Sequence, residues 1–249
     1  MDLGVKDQVF AITGGSRGVG FATAQQLVLE GAKVVITGRD PAVLDSSVAT
    51  LGGPERAVGV VADNADLDAG ERIVATARET FGGLHGALLS VGGPPSGGVL
   101  KVTDEQWQDA FSSLFLGTLR IARSLLEAMD EGAIAFVLSS SVKVPIRALA
   151  ISNGLRPGLA MLAKSLADEV GPRGIRVISL APGRIATART EALDAAAPGR
   201  RASGEAAIPL GRYGTAEEFG RAAAFLISPA ASYISGITVS IDGGSLQCL

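Results

Sequence analysis

Apolar and β-branched residues gather into short runs at 8–13, 33–37, 57–61, 86–91, 133–139, 175–180 and 236–241. Within each run polar and apolar positions do not alternate. The runs are almost continuously apolar, which is the pattern of strands covered on both faces. Longer stretches with helical spacing lie between them, among them 18–30, 67–81, 104–129, 153–170 and 216–226. Strand and helix alternating about six times give a parallel sheet with helices on both sides. Right-handed crossovers wind such a sheet in both directions from its middle. The pattern therefore predicts an α/β fold: one doubly wound, Rossmann-type domain over residues 1–249 with a seven-stranded parallel sheet. No internal repeat and no boundary interrupts it. The one biased stretch, 186–207, is rich in Ala, Arg and Gly, and its part from 188 to 207 reads as a mobile, lid-like excursion rather than a linker.

Composition then narrows the function classes. The chain carries 22 basic and 25 acidic residues, a net charge of −3. Nucleic acid and anionic membrane need clustered Lys and Arg, so neither is expected as a partner. A hydrophobic content of 47% excludes disorder. The single cysteine, Cys248, permits no internal disulfide and no Cys-built zinc site, and no metal is expected. No basic-then-apolar leader opens the chain and no run of about 18 apolar residues exists, so a cytoplasmic protein acting on a small molecule is expected.

The first apolar run leads straight into Thr13-Gly14-Gly15-Ser16-Arg17-Gly18-Val19-Gly20 and then into a helical stretch. Glycines at 14, 18 and 20 allow a tight turn and let backbone N–H groups approach a diphosphate at the positive end of a helix. Placed after a first strand and before a helix, such a run points to a dinucleotide.

The spacing Thr-Gly-x-x-x-Gly-x-Gly resembles that of the short-chain dehydrogenase/reductase family, and the likeness continues over essentially the whole chain. Asp63-Asn64 follow the third strand, where the family contacts adenine. Leu89-Ser90-Val91-Gly92 stand where the family carries Asn-Asn-Ala-Gly. Pro182-Gly183-Arg184-Ile185-Ala186-Thr187 follow the sixth strand, and Ile208-Pro209-Leu210-Gly211-Arg212 lead toward the last helix. Tyr233-Ile234-Ser235-Gly236 and Asp242-Gly243-Gly244 close the fold. The resemblance implies a nicotinamide dinucleotide held by Gly14, Ser16, Arg17, Gly18, Val19 and Gly20, by Asp63 and Asn64, by Ser90 and Gly92, and by Pro182, Gly183, Ile185 and Thr187. It also implies a homotetramer, with which the apolar stretches 111–126 and 237–249 are consistent.

A Rossmann-type site that selects NAD places an acid after the second strand, about 20 residues past the glycines. Here that region reads Ile36-Thr37-Gly38-Arg39-Asp40, and the usual acid position falls on neutral Thr37. Arg39 offers a guanidinium to a 2′-phosphate, with Arg17 on the other side of the clamp. NADP(H) is therefore expected over NAD(H). The alternative leaves both arginines in solvent and gives the ribose to Asp40.

The family's chemistry uses a Tyr-x-x-x-Lys pair on a long helix, a Ser upstream and an Asn on the preceding helix. Counted back from Lys164-Ser165-Leu166-Ala167, the Tyr falls on Ser152 and the Lys on Arg156, while the Asn falls on Leu114. No substitute is evident: Tyr213 and Tyr233 sit in segments that are structural in the family, and His85 opens the fourth strand at the end away from the cofactor. A serine hydroxyl is far less acidic than a phenol and cannot repeat its proton transfer unaided. Arg156 can bind ribose hydroxyls and add positive charge, but does not shuttle protons.

The upstream serine is Ser139 by its distance of 13 residues from Ser152, or Ser141 by the valine that follows it. Either hydroxyl can bond a substrate carbonyl. Lys143, on the same loop, polarises an oxygen, donates a proton if desolvated, or simply points to solvent. The catalytic candidates are thus Ser139, Ser141, Lys143, Ser152 and Arg156. Arg184, Arg189, Arg200 and Arg201 on the excursion either greet an anionic substrate or solvate a lid. Two functions follow. One is an NADP(H)-dependent reductase of a carbonyl, akin to relatives that reduce ketones and 3-oxoacyl thioesters, or of a conjugated C=C bond whose enolate product needs no strong acid. The other is a catalytically silent NADP(H)-binding sensor or scaffold.

Overall fold

The computed structural model describes residues 1–248; Leu249, the last residue of the apolar ending, lies outside the described residues. In chain order the elements are β1 (Val9–Ile12), α1 (Gly18–Leu29), β2 (Lys33–Gly38), α2 (Pro41–Thr50), β3 (Ala57–Val61), α3 (Ala69–Phe81) and β4 (Gly86–Leu89). There follow α4 (Asp104–Ala110), a π-helical segment (Phe111–Gly117), α5 (Thr118–Ala128), β5 (Gly132–Val137), α6 (Ala150–Val170) and β6 (Ile175–Pro182). The last part holds β7 (Ile185–Ala186), α7 (Ala188–Ala195), α8 (Arg200–Ala206), β8 (Gly214–Thr215), α9 (Ala216–Ile227) and β9 (Ile237–Ile241).

Seven strands pair in the order β3-β2-β1-β4-β5-β6-β9, every pair parallel. Alternate side chains of each strand feed opposite faces. Val9 and Ala11 join Ile73 and Ala77 of α3, Ile121 and Leu125 of α5 and Leu159 of α6 in one core. Phe10 and Ile12 join Leu27 of α1, Leu44 of α2 and Phe219 of α9 in the other. Both faces are covered, which is why the strands read as continuous apolar runs. The molecule is a single α/β domain of Rossmann type.

The chain runs outward from β1 to β3, then returns to place β4 on the other side of β1. Crevices outside the carboxyl ends of strands at such a reversal bind ligands. Here the reversal is cross-stitched: Thr13 Oγ1 donates to the Ser90 carbonyl at 2.7 Å and accepts from the Ser90 N–H at 2.8 Å. That tie also explains why the expected strand 86–91 ends at Leu89.

Other expectations shift for local reasons. The single helix expected over 104–129 is divided by the π-helical segment at Phe111–Gly117. The long helix begins at Ala150, three residues before the expected start, and runs through Pro157, which forgoes one backbone bond. The excursion is two short helices, α7 and α8, with α7 capped by the Thr187 hydroxyl on the Thr190 N–H. Helix α2 and the two-residue pair β7–β8 are additional elements. No helix among the described residues is long and apolar enough to cross a membrane, and no three of their His, Cys, Asp and Glu side chains are grouped to hold a metal.

Candidate active site

The turn between β1 and α1 is shaped by backbone alone. Gly14 and Gly18 have φ of +58° and +56°, where side chains are rarely tolerated. A Cβ on Gly20 would strike the Gly14 carbonyl. Arg17 precedes α1 without a capping hydrogen bond, and no acidic residue stands in the helix's first turn. The positive end of a twelve-residue helix is thus left for an outside anion. Residues remote in sequence gather here: a Cβ on Gly14 would lie 3.0 Å from the Ser90 carbonyl oxygen, and one on Gly18 would lie 3.6 Å from the Thr187 methyl. Ser16 lies against β2, since a Cβ on Gly38 would meet its hydroxyl at 2.7 Å. An uncapped helix end in a glycine cradle fits the diphosphate of a dinucleotide. Val19, in the first turn of α1, is half-buried, Gly92 is exposed, and Gly183, between Pro182 and buried Ile185, packs on Asp242.

At the carboxyl end of β2, the Thr37 hydroxyl accepts from the Gly14 N–H at 3.2 Å, so the position of the expected acid supports the glycine turn. Asp40 is committed as well, its Oδ1 capping α2 through the Ala42 and Val43 N–H groups. Arg39 is 81% exposed, its Nη1 3.4 Å from Asp63 Oδ2, and Arg17 Nη2 lies 3.8 Å from Asp40 Oδ2. Two guanidiniums therefore flank the end of β2 on loose surface pairs. Asn64 is buried and its Nδ2 has no partner, an orphaned donor of the kind a ligand acceptor completes.

Beyond β5 the chain makes a 3₁₀ turn at Ser140–Val142. The Ser139 hydroxyl accepts from the Ser141 N–H at 3.1 Å, so Ser139 shapes the turn. Ser141 faces α6: its Oγ lies 3.0 Å from Ser152 Oγ, both residues buried. One turn further along α6, Arg156 is 6% exposed and its Nη1 donates to the Val137 and Leu138 carbonyls, each at 2.8 Å. Nη1 is thereby fixed to the end of β5 rather than free toward a ribose. Burial, then the like charge of Arg189, pushes the Arg156 guanidinium down to about 10.

Arg189, in the first turn of α7, donates through Nη1 to the Gly93 carbonyl at 2.6 Å and through Nη2 to that of Pro94 at 3.0 Å. It closes the excursion onto the loop after β4. No spacing signal joins residues 96 apart in sequence, so this contact was not readable beforehand. Lys143 is exposed and lines a hollow of about 320 Å³ with Pro157, Met161, Lys164 and Gly236; Ser141, Ser152 and Arg156 are not among its walls.

Of the remaining candidates, one is an apolar core residue and two are polar side chains with structural partners. Leu114 is buried in the core. His85 Nδ1 accepts from the Val9 N–H at the amino end of the sheet. Tyr213 is buried, accepting from Arg184 at 3.3 Å and donating to Asp194 Oδ1 at 3.4 Å, and it pins the excursion.

A family model described as Enoyl-(Acyl carrier protein) reductase matches residues 14–245. Dehydrogenase/reductase SDR family member 4 of Bos taurus is 33% identical over 248 residues, covering 98% of this chain and 88% of the relative. The 3-oxoacyl-[acyl-carrier-protein] reductase of Salmonella typhimurium is 31% identical over 245 residues, covering 97% and 98%. Among solved structures, L-sorbose reductase from Gluconobacter frateurii, complexed with NADPH and L-sorbose, superposes with a TM-score of 0.93 at 30% identity over 100% of both chains. Likeness of this extent in sequence and in backbone places the chain in the short-chain dehydrogenase/reductase family.

Proposed function

We propose that the protein is an NADP(H)-dependent oxidoreductase that reduces a carbonyl, or a conjugated C=C bond, of a small organic substrate in the cytoplasm. Its active site is non-standard, with Ser152 and Arg156 in the places of the family's Tyr and Lys. The observation that carries this reading is the buried Ser141–Ser152 hydroxyl pair, set at the carboxyl end of β5 in the sheet whose first helix is left uncapped.

The bound nicotinamide supplies the hydride; the protein supplies position and electrostatics. The uncapped end of α1 and the Gly14–Gly20 turn receive the diphosphate, and Arg39 with Arg17 receives the 2′-phosphate that distinguishes NADP. Each serine hydroxyl has one proton to give. With Ser141 donating to Ser152 Oγ, at 3.0 Å against 3.5 Å to the Ser152 carbonyl, the Ser152 O–H is left for the substrate oxygen. The Arg156 charge, one turn along, favours negative charge developing on that oxygen. A serine does not part with its proton for good at neutral pH, so the pair orients the oxygen and relays a proton drawn from water. An enone makes this easier still, because its enolate needs only a hydrogen bond.

The test is a fluorescence titration with NADPH and NADH on the wild type and Arg39→Ala, followed by nicotinamide absorbance with ketones, quinones and enones. Tight NADPH binding lost in Arg39→Ala, with turnover on any compound, supports the reductase. No binding of either nucleotide overturns it. A second reading, a catalytically silent NADP(H)-binding sensor or scaffold, is favoured by the burial of Leu114 in the core; tight binding with no turnover selects it. On either reading we infer a homotetramer, supported by exposed Phe111, Leu116 and Met161 and tested by light scattering.

A further inference from the structure

Arg156 is a buried charge without a counter-charge among the described residues. A guanidinium has five N–H donors, and here only Nη1 meets acceptors. Nε and Nη2 bond to no atom of the described residues. They are not sealed in either, since the fully enclosed unpartnered atoms of the described residues are Asn64 Nδ2, Arg72 Nε, Thr118 Oγ1 and Asp194 Oδ2. The Nε–Nη2 edge of a guanidinium presents two parallel N–H groups, the fork that a carboxylate fits bidentately. Among the described residues no acid pairs with it: the ion pairs there use Arg17, Arg39, Arg72, Arg200, Arg201 and Arg212.

The charge that does act on Arg156 has the same sign. Arg189 reaches the loop after β4, next to the strand whose end holds Arg156, and its field works against the Arg156 charge. Arg189 is unpaired with any acid among the described residues, and each of its Nη atoms keeps an N–H beyond the one given to Gly93 or Pro94. The two guanidiniums are thus anchored beyond the carboxyl ends of adjoining strands, Arg156 at the end of β5 and Arg189 on the loop after β4. Neither is paired with an acid among the described residues, so an anion arriving from outside would find both charges uncompensated.

We propose that this is a substrate site: the compound reduced carries a carboxylate, seated between Arg156 and Arg189, while its carbonyl oxygen meets the Ser141–Ser152 pair. The reacting half of this statement rests on the reductase reading above; the carboxylate site itself does not. The substrate class is therefore a small oxo acid or an unsaturated carboxylic acid rather than a neutral sugar or ketone.

The test is calorimetric titration of the whole protein, with and without NADPH, using pyruvate, 4-oxopentanoate and benzoylformate, each against its methyl ester. The proteins are the wild type, Arg189→Gln, Arg156→Met and Arg156→Lys. Expected is that at least one acid binds the wild type about tenfold tighter than its ester. That preference should collapse in Arg189→Gln and Arg156→Met and survive in part in Arg156→Lys, which keeps the charge and loses the fork. Arg189 is exposed, so its variant carries the test even if an Arg156 variant fails to fold. No preference for any acid in the wild type, or an undiminished preference in Arg189→Gln, overturns the site. A drop in NADPH affinity in Arg189→Gln with the acid preference intact assigns that arginine to the cofactor diphosphate and also overturns it. Each of those failures leaves the reductase reading standing on NADPH binding and turnover. Selective acid binding by a protein that does not bind NADPH supports the site and overturns the reductase reading instead.

Discussion

The side-chain oxygens of Ser141 and Ser152 lie 3.0 Å apart, and both residues are buried. If the pair holds the substrate oxygen, Ser141→Ala and Ser152→Ala should each lower kcat by about 10²–10³, the usual cost of one oxyanion donor. The double variant should lose little more than either single one, because the two hydroxyls act as a unit. NADPH affinity should stay within about twofold in all three, since no cofactor contact is removed. Steady-state NADPH oxidation together with a nucleotide titration reads both quantities. Full turnover in Ser141→Ala would remove the pair from the mechanism.

Arg39 and Asp63 form a loose pair at 3.4 Å with the arginine 81% exposed. Pairs of that kind are worth about 0–1 kcal/mol, so the arginine is readily available to a phosphate. Arg39→Ala should weaken NADPH by about 10–100-fold, equivalent to one or two charge-assisted hydrogen bonds, and leave NADH nearly unchanged. Its Tm should not move. Equal weakening of both nucleotides would place Arg39 outside 2′-phosphate recognition.

The strands were legible because a sheet covered on both faces makes each of them apolar throughout, and the glycine cradle because few residues besides glycine adopt φ near +57° at 14 and 18. The π-helical segment was not. Over seven residues, Phe111–Gly117, a period of 3.6 and a slightly wider one bury nearly the same positions. The 3₁₀ turn gives Ser139 and Ser141 different surroundings, the Ser139 hydroxyl accepting from the Ser141 N–H while Ser141 Oγ faces Ser152 of α6. Spacing alone counts residues and is blind to such a turn. The pairing of Arg189 with Gly93 and Pro94 depends on two loops meeting in space, and nothing local encodes it.

Helix α9 packs beneath α1 and starts with a reciprocal cap, Thr215 on the Glu218 N–H and Glu218 on the Thr215 N–H. Arg212 adds two hydrogen bonds to the same carboxylate, and these, with the Thr215 N–H, hold Glu218 down at about 2. A carboxylate whose folded value is lowered adds stability above its ordinary range, and that contribution is lost as the pH falls toward about 2. Glu218→Gln should therefore lower Tm at pH 7, and the gap from wild type should close steadily below pH 4. Thr215→Ala, which removes the other half of the cap, should cost about 1 kcal/mol at any pH. A pH-independent gap for Glu218→Gln would mean that packing, not charge, sets its contribution.

Arg156 poses the opposite case, a base whose folded value is lowered, to about 10, by burial first and by Arg189 second. Below that pH both folded and unfolded chains hold the proton, so burial of the charge costs a constant amount, of the order of 3 kcal/mol. The two hydrogen bonds from Nη1 return about 1.5–3 kcal/mol each, about 3–6 kcal/mol together, and at the low end of that range the two effects cancel. Arg156→Met, of similar length and without charge, should therefore leave unfolding free energy at pH 8 within about 1–2 kcal/mol of wild type, or raise it, while activity falls. As the pH rises above about 10, the folded wild type sheds the proton that the unfolded chain keeps, and wild type gains on the variant. Groups that titrate alike in both proteins drop out of the difference. Urea unfolding of the two proteins at intervals from pH 8 to pH 11 measures it. A loss of several kcal/mol in Arg156→Met at pH 8, with no change in the gap at alkaline pH, would show that the carbonyl contacts dominate and that the buried charge is fully compensated.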